Sequence, residues 1–163
     1  MITVVDLSTA SNADVATWLV DLSEDLRPGD YDEIKALSEE TPAVVLVSSV
    51  MLSSHGWIIL DGDTPIAVFG AAPSSDPDQG VVWMMGSPLM DKPSNAIGIL
   101  RLSVPYMEEM HRTYRTLFNH IDARHETSLK WLRWCGYELV EEVPEYGRLS
   151  LPFFLFARHR SDV

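Results

Sequence analysis

Apolar positions recur along this chain with two periods, and the switches between them outline its elements. Residues 2–7 form a short β-branched run that predicts an opening strand. Ser11, with Asp14 three positions on, marks a helix start, and Val15, Trp18, Leu19, Leu22 and Leu26 follow at helical spacing until Arg27-Pro-Gly-Asp30 breaks the run. Residues 31–37 predict a further turn or two of helix. Thr41-Pro42 reads as an N-cap followed by proline at the first helical position, so 43–52 is expected as a buried helix, although its Val44-Val-Leu-Val47 centre suits a buried strand equally well. Trp57-Ile-Ile-Leu60 and Ile66-Ala-Val-Phe69 flank Asp61-Gly62-Asp63, a strong hairpin signature. Val81-Val-Trp-Met-Met85 adds a third strand after a polar loop, and Gly86-Ser87-Pro88 ends it.

Helical spacing returns from Asn95 through Ile97, Leu100, Val104, Met107, Met110 and Tyr114, with Pro105 inside it as an expected kink or restart. Residues 116–122 read as a strand. In the next segment Leu129, Leu132 and Cys135 share one helical face beside Trp131. Glu126 or Thr127 can start that helix, and Gly136 can take the positive φ that stops it. Strands at 138–143 and 153–156 flank a turn at 144–147, and 158–163 is a polar tail. The order β-α-α-β-β-β-α-β-α-β-β implies one α/β (α+β) domain, residues 1–163, around a mixed central sheet with an antiparallel meander and about four flanking helices.

A formal net charge of −12 and a pI near 4.6 argue against a nucleic-acid footprint, which needs clustered Lys and Arg. No apolar run approaches the roughly 20 residues that cross a bilayer, so no membrane partner is expected. Met1–Asp6 has no basic stretch like that of a signal peptide, and the expected location is cytoplasmic. Cys135 is the single cysteine and reads as a small buried hydrophobe. Phosphate-loop, dinucleotide-fingerprint, His-Glu-x-x-His and Gly-x-Ser-x-Gly motifs are all missing. His55, His111, His120, His125 and His159 lack zinc-ligand spacing, so no metal is expected, although His120, Asp122 and His125 would be the residues to hold one.

This element order, together with the segment 123–137 and its Gly136-Tyr137 stop, resembles the GCN5-related N-acetyltransferase (GNAT) superfamily. A narrower likeness rests on Trp83-Met-Met-Gly-Ser87, Leu117-Phe-Asn-His-Ile-Asp-Ala-Arg124, Leu129-Lys-Trp-Leu-Arg-Trp-Cys-Gly-Tyr137, Tyr146-Gly147 and Pro152-Phe-Phe-Leu-Phe-Ala-Arg158. These stretches resemble acetyltransferase-like internal virion or assembly proteins of short-tailed bacteriophages. The resemblance implies acetyl-coenzyme A (acetyl-CoA) as co-substrate and a small-molecule or protein amine as acceptor. It implies a splay between strands 81–86 and 117–122, where backbone groups of Met84, Met85 and Gly86 hold the pantetheine arm. Ser87, Asn95, Gly98 and Ser128 complete the implied cofactor-binding set, and His125 and Tyr137 are the implied catalytic groups.

Two departures from the family pattern stand out. The pyrophosphate loop, usually [Gln/Arg]-x-x-Gly-x-[Gly/Ala], here reads Lys92-Pro-Ser-Asn-Ala-Ile-Gly98 and keeps only Gly98. Leu132 stands where the family often has the tyrosine that protonates the leaving thiolate, and His125 where it often has asparagine. No carboxylate is singled out as a base. The resemblance therefore supports two expectations: an N-acyltransferase with an atypical site, or an inactive phage protein of this fold that acts in virion assembly or host interaction, in the host cytoplasm or the virion.

Overall fold

The computed structural model describes residues 1–161, so the last two residues of the expected tail lie outside the described residues. In chain order the elements are β1 (Ile2–Asp6), α1 (Asn12–Ser23), α2 (Pro28–Leu37), α3 (Pro42–Leu52), β2 (His55–Asp61), β3 (Thr64–Pro73), β4 (Gln79–Gly86), a 3-10 turn (Pro88–Asp91), α4 (Pro93–His111), β5 (Thr116–Asp122), α5 (Glu126–Trp134), β6 (Glu138–Tyr146) and β7 (Leu151–His159). The strands form one sheet in the order β1-β2-β3-β4-β5-β7-β6. Every neighbouring pair is antiparallel except β4 and β5, which run parallel. Among the described residues no helix is long and apolar enough to cross a membrane.

The β2–β3 hairpin forms around Gly62, whose φ of 61° sits at the first central position of the two-residue turn. Alternation along the strands then feeds two cores. Trp57, Ile59, Ala67 and Phe69 pack with Ile99, Met107 and Met110 of α4, with Leu132 of α5 and with Cys135 at its C-cap. Ile58, Leu60, Val68 and Met85 face the other way, toward Leu19, Leu22, Ile34 and Leu46 of the first three helices.

Several expectations need correction. α1 ends at Ser23, short of Leu26 and ahead of Arg27-Pro-Gly-Asp30, and Pro28 is the first residue of a ten-residue α2, where its missing N–H costs nothing. α3 starts as expected, with Val44 N–H donating to Thr41 Oγ1 at 3.4 Å, but it is not a buried helix. Leu46 alone is fully enclosed, while Val44, Val47, Met51 and Leu52 are exposed. α4 continues past Pro105 because that residue is on the solvent side, where water can satisfy the Arg101 carbonyl it frees. β6 runs through Pro144 to Tyr146, which an edge strand permits because the missing N–H has no ladder partner to lose. Four glutamates of β6, Glu138, Glu141, Glu142 and Glu145, face solvent along this edge.

Candidate active site

The parallel pairing of β4 and β5 lasts three residues, ending at Val81 opposite Phe118. Beyond it the strands part, and Asn119 Nδ2 donates across the gap to the Val82 carbonyl at 2.8 Å. Two cavities open at this splay. One, of about 230 Å³, lies toward α2 and α3 and is lined by Arg27, Glu33, Ile34, Trp83, Asn119 and His125 among others. The other, of about 450 Å³, lies between α4 and α5 and is lined by Ile99, Leu100, Thr127 and Lys130 among others. Arg27, Met84, Ser128 and Trp131 line both.

A buried polar cluster closes the top of the splay. Arg27 donates through Nε to Asp30 Oδ2 (2.9 Å) and through its terminal nitrogens to Asp30 Oδ1 (3.2 Å), Asp91 Oδ1 (3.3 Å) and Ser128 Oγ (3.3 Å). Asp30 also accepts from the Gly86 N–H (2.9 Å) and meets His125 Nε2 (2.9 Å). Burial alone would raise the Asp30 carboxyl, but His125 and Arg27 hold it below the ordinary carboxylate range. An ionised carboxylate only accepts, so Nε2 is the protonated nitrogen of His125. Ser128 Oγ lies 3.0 Å from the same Nε2. Acid and hydroxyl therefore share one ring nitrogen, which is not the opposed arrangement of a Ser-His-Asp triad. Gly29 makes room for the ring: a Cβ there would sit 2.7 Å from His125 Cε1 and Nδ1.

One carboxylate in the smaller cavity is less committed. Glu33 Oε1 accepts the Asp122 N–H at 2.8 Å, and no protein donor among the described residues reaches Oε2. The residue keeps some exposed surface, while its carboxylate lies within the cavity wall. Burial, with the charges of Asp30 and Asp122 adding, pushes its pKa up to about 7 against the lowering pull of the Asp122 N–H and His125. Asp122 itself is buried, yet the guanidinium of Arg124 keeps it low.

The structure treats the expected site residues unequally. Met84, Ser128 and His125 line the smaller cavity, and the first two also line the larger. By the alternation of an antiparallel ladder, the N–H and C=O of Met84 lie on the same open edge of β4 as those of Val82 and Gly86. The expectation that Gly86 offers free backbone groups is corrected: its N–H goes to Asp30, and its carbonyl accepts the Arg27 N–H at 2.8 Å. Met85 packs in the core beneath the first three helices and pairs with Val68, and it too lines the smaller cavity. Ser87 is buried and caps the 3-10 turn, accepting the Leu89 N–H. Asn95 Nδ2 donates to the Leu89 carbonyl, tying that turn to α4. Gly98 is the sixth residue of α4, past its first turn, and a Cβ there meets nothing within 4 Å. Tyr137 packs edge-on against Phe156 in the core, and burial pushes its phenol well above the ordinary range. It lines a small apolar pocket that shares Val82, Trp83, Met84, Trp131, Leu132 and Phe156 with the cavity that holds His125.

The residues once considered for a metal also separate. His120 stacks on Tyr146 at 4.3 Å, Asp122 pairs with Arg124, and His125 turns to Asp30. Among the described residues no group of three or more His, Cys, Asp or Glu side chains is arranged to hold a metal ion. Arg27, Asp30 and Glu33 were not singled out from the sequence, although once Pro28 is read as the first residue of α2, Arg27 is its N-cap and Asp30 and Glu33 are i,i+3 neighbours on it.

No protein-family model matches the chain, and no curated protein matches it in sequence. Solved structures match it over its whole length. An acetyltransferase from Salmonella typhimurium, yncA, solved with its cofactor acetyl-CoA, superposes with a TM-score of 0.73 at 12% identity, covering 99% of this chain and 95% of its own. The chain has the GNAT fold. A GCN5-related N-acetyltransferase from Kribbella flavida gives 0.69 at 14% identity, covering 98% of each chain. The ribosomal-protein-S18-alanine N-acetyltransferase of Escherichia coli gives 0.68 at 10%, covering 100% of this chain and 96% of its own. Identities this low establish the GNAT architecture and leave the chemistry to the residues of this site.

Proposed function

We propose that this protein is an N-acyltransferase that moves an acetyl group from acetyl-CoA to an amine. The observation that carries this reading is the meeting of two cavities at the β4–β5 splay, with the Glu33 carboxylate open in one of them. The larger cavity falls within the roughly 300–1,000 Å³ of ordinary ligand sites. Its residues suit the pantetheine arm: Met84 offers edge backbone groups, and Ile99, Leu100 and Trp131 give it apolar wall. Lys130 supplies positive charge along the same wall. The helix start is a poorer phosphate cradle, since Pro93 has no N–H and those of Asn95 and Ala96 turn back to the Lys92 carbonyl, leaving that of Ser94.

The bound thioester supplies an activated acyl group: its carbonyl carbon bonds to the acceptor nitrogen as the carbon–sulfur bond breaks and the thiol leaves. Glu33 Oε2 takes a proton from the acceptor's ammonium and frees the lone pair for attack. Ser128 lies where the cavities meet, and its hydroxyl is positioned to hand its proton to the departing sulfur while taking up the second proton that the acceptor nitrogen sheds on acylation, so that it ends as a hydroxyl. His125 and Arg27 hold that hydroxyl in place. Tyr137, enclosed in the core, has no role in this scheme.

Saturating acetyl-CoA should raise the melting temperature, because a ligand that binds only the native state stabilises it by about 2.7 kcal/mol at a hundredfold excess over Kd. At about 2–4 °C per kcal/mol for a chain of this size, the expected shift is roughly 5–11 °C. A melting curve that does not move overturns the reading. It would favour the second one, in which the fold serves as a binding module in a bacteriophage particle or against a host protein. That alternative draws on the occupied edge groups of Gly86 and the donor-poor start of α4.

A further inference from the structure

The smaller cavity has a charge pattern that selects among amines. The permanent cation in its wall, Arg27, is committed to Asp30, Asp91 and Ser128. Asp30 is likewise taken by Arg27, His125 and the Gly86 N–H. Glu33 is the one lining carboxylate among the described residues with an oxygen left for a ligand. Ile34 and Leu37, on the same helix as Glu33, join Val45 and Trp83 in the apolar part of the lining. An apolar cavity of roughly 150 Å³ takes a benzene ring. The 230 Å³ here has room for one ring or branched alkyl group on a short arm.

We propose that the acceptor is a small primary amine with an apolar body and no carboxylate, its ammonium held by Glu33 Oε2 and its body against Ile34, Leu37, Val45 and Trp83. This rests on the acyltransferase reading and narrows it. An amino acid would bring a carboxylate with no free cation to meet it, beside two carboxylates already present. A polyamine would bring a second ammonium to an apolar wall. Either mismatch leaves a desolvated charge unpaired, which costs affinity.

Calorimetric titration of the full chain with phenethylamine, phenylalanine and spermidine tests the proposal. Phenethylamine should bind about tenfold or more tightly than the other two, the scale of one unpaired charge at a partly desolvated site. Glu33→Gln should weaken phenethylamine by about the same factor. Leu37→Arg, at a position exposed enough to accept the change, should narrow the gap by giving the phenylalanine carboxylate a partner. Phenylalanine binding as tightly as phenethylamine, or an unaltered affinity in Glu33→Gln, overturns the inference. A thiol-release assay with acetyl-CoA separates it from the reading beneath it. Release with phenylalanine preferred keeps the transferase and sinks the amine class. Tight phenethylamine binding without release keeps the amine site and sinks the transferase.

Discussion

Glu33→Gln should lower kcat/KM for acetyl transfer by about 10²–10⁴-fold, the usual contribution of a positioned base, and leave the fold intact. Glutamine keeps the oxygen that accepts the Asp122 N–H and loses only the ability to take a proton. The base acts when ionised, so wild-type activity should rise with pH through about 7, and the rising limb should vanish in the variant. Asp30 and Asp122, the carboxylates beside it, are held low by their own partners and stay ionised through this window. Stability supplies an independent readout of opposite sign. The folded pKa of Glu33 is raised, so the native state prefers it protonated. Its contribution is fully present below the unfolded value near 4.3 and is lost as pH rises through about 7. Allowing for the partial exposure of the residue, Glu33→Gln should be more stable than wild type at pH 8 by on the order of 2 kcal/mol, and equal to it at pH 4. Urea unfolding at the two pH values measures this. A variant that keeps wild-type activity removes Glu33 from the chemistry.

The second large effect concerns the cluster that holds the site in shape. Asp30→Ala should cost roughly 3–5 kcal/mol, because it strands the buried Arg27 guanidinium along with the His125 Nε2–H and the Gly86 N–H. For a chain of this length that is a fall in melting temperature of about 6–20 °C. Adding Arg27→Met should recover much of the loss, since replacing both members of a buried ion pair with apolar groups is close to neutral. A cost in Asp30→Ala no greater than about 0.5 kcal/mol, the scale of a surface change, would show that the cluster does not anchor α2.

These two residues also mark where the sequence stopped being readable. The meander, the Thr41 cap and the Gly136 stop at φ 86° were legible because each is set by neighbours a few residues away. The order of those elements suggested the fold that the superposed structures share. Glu33 and Asp30 were not legible as site residues, because what distinguishes them comes from partners far along the chain: Asp122 for one, Gly86 and His125 for the other. A charged residue beside a proline and a glycine looks like an ordinary exposed turn until the tertiary fold encloses it. Gly86 shows the converse. Its place at the end of β4 was read correctly, but not that α2 would take both its backbone groups. The exposed apolar side of α3 escaped for a similar reason, since a helix apolar on nearly every side gives little hint of which side the core will use.

The outer strand of the sheet carries a further consequence. β6 presents unpaired backbone groups on its free side, the kind of edge along which a second chain can add itself. Glu138, Glu141, Glu142 and Glu145 place four like charges there, so two such edges repel each other before their backbones can pair. That guard is electrostatic, and salt weakens it: the range of the repulsion falls from about 10 Å at 0.1 M to about 3 Å at 1 M. The resistance of this edge to sheet-by-sheet polymerisation is thus written in side chains that take no part in the core.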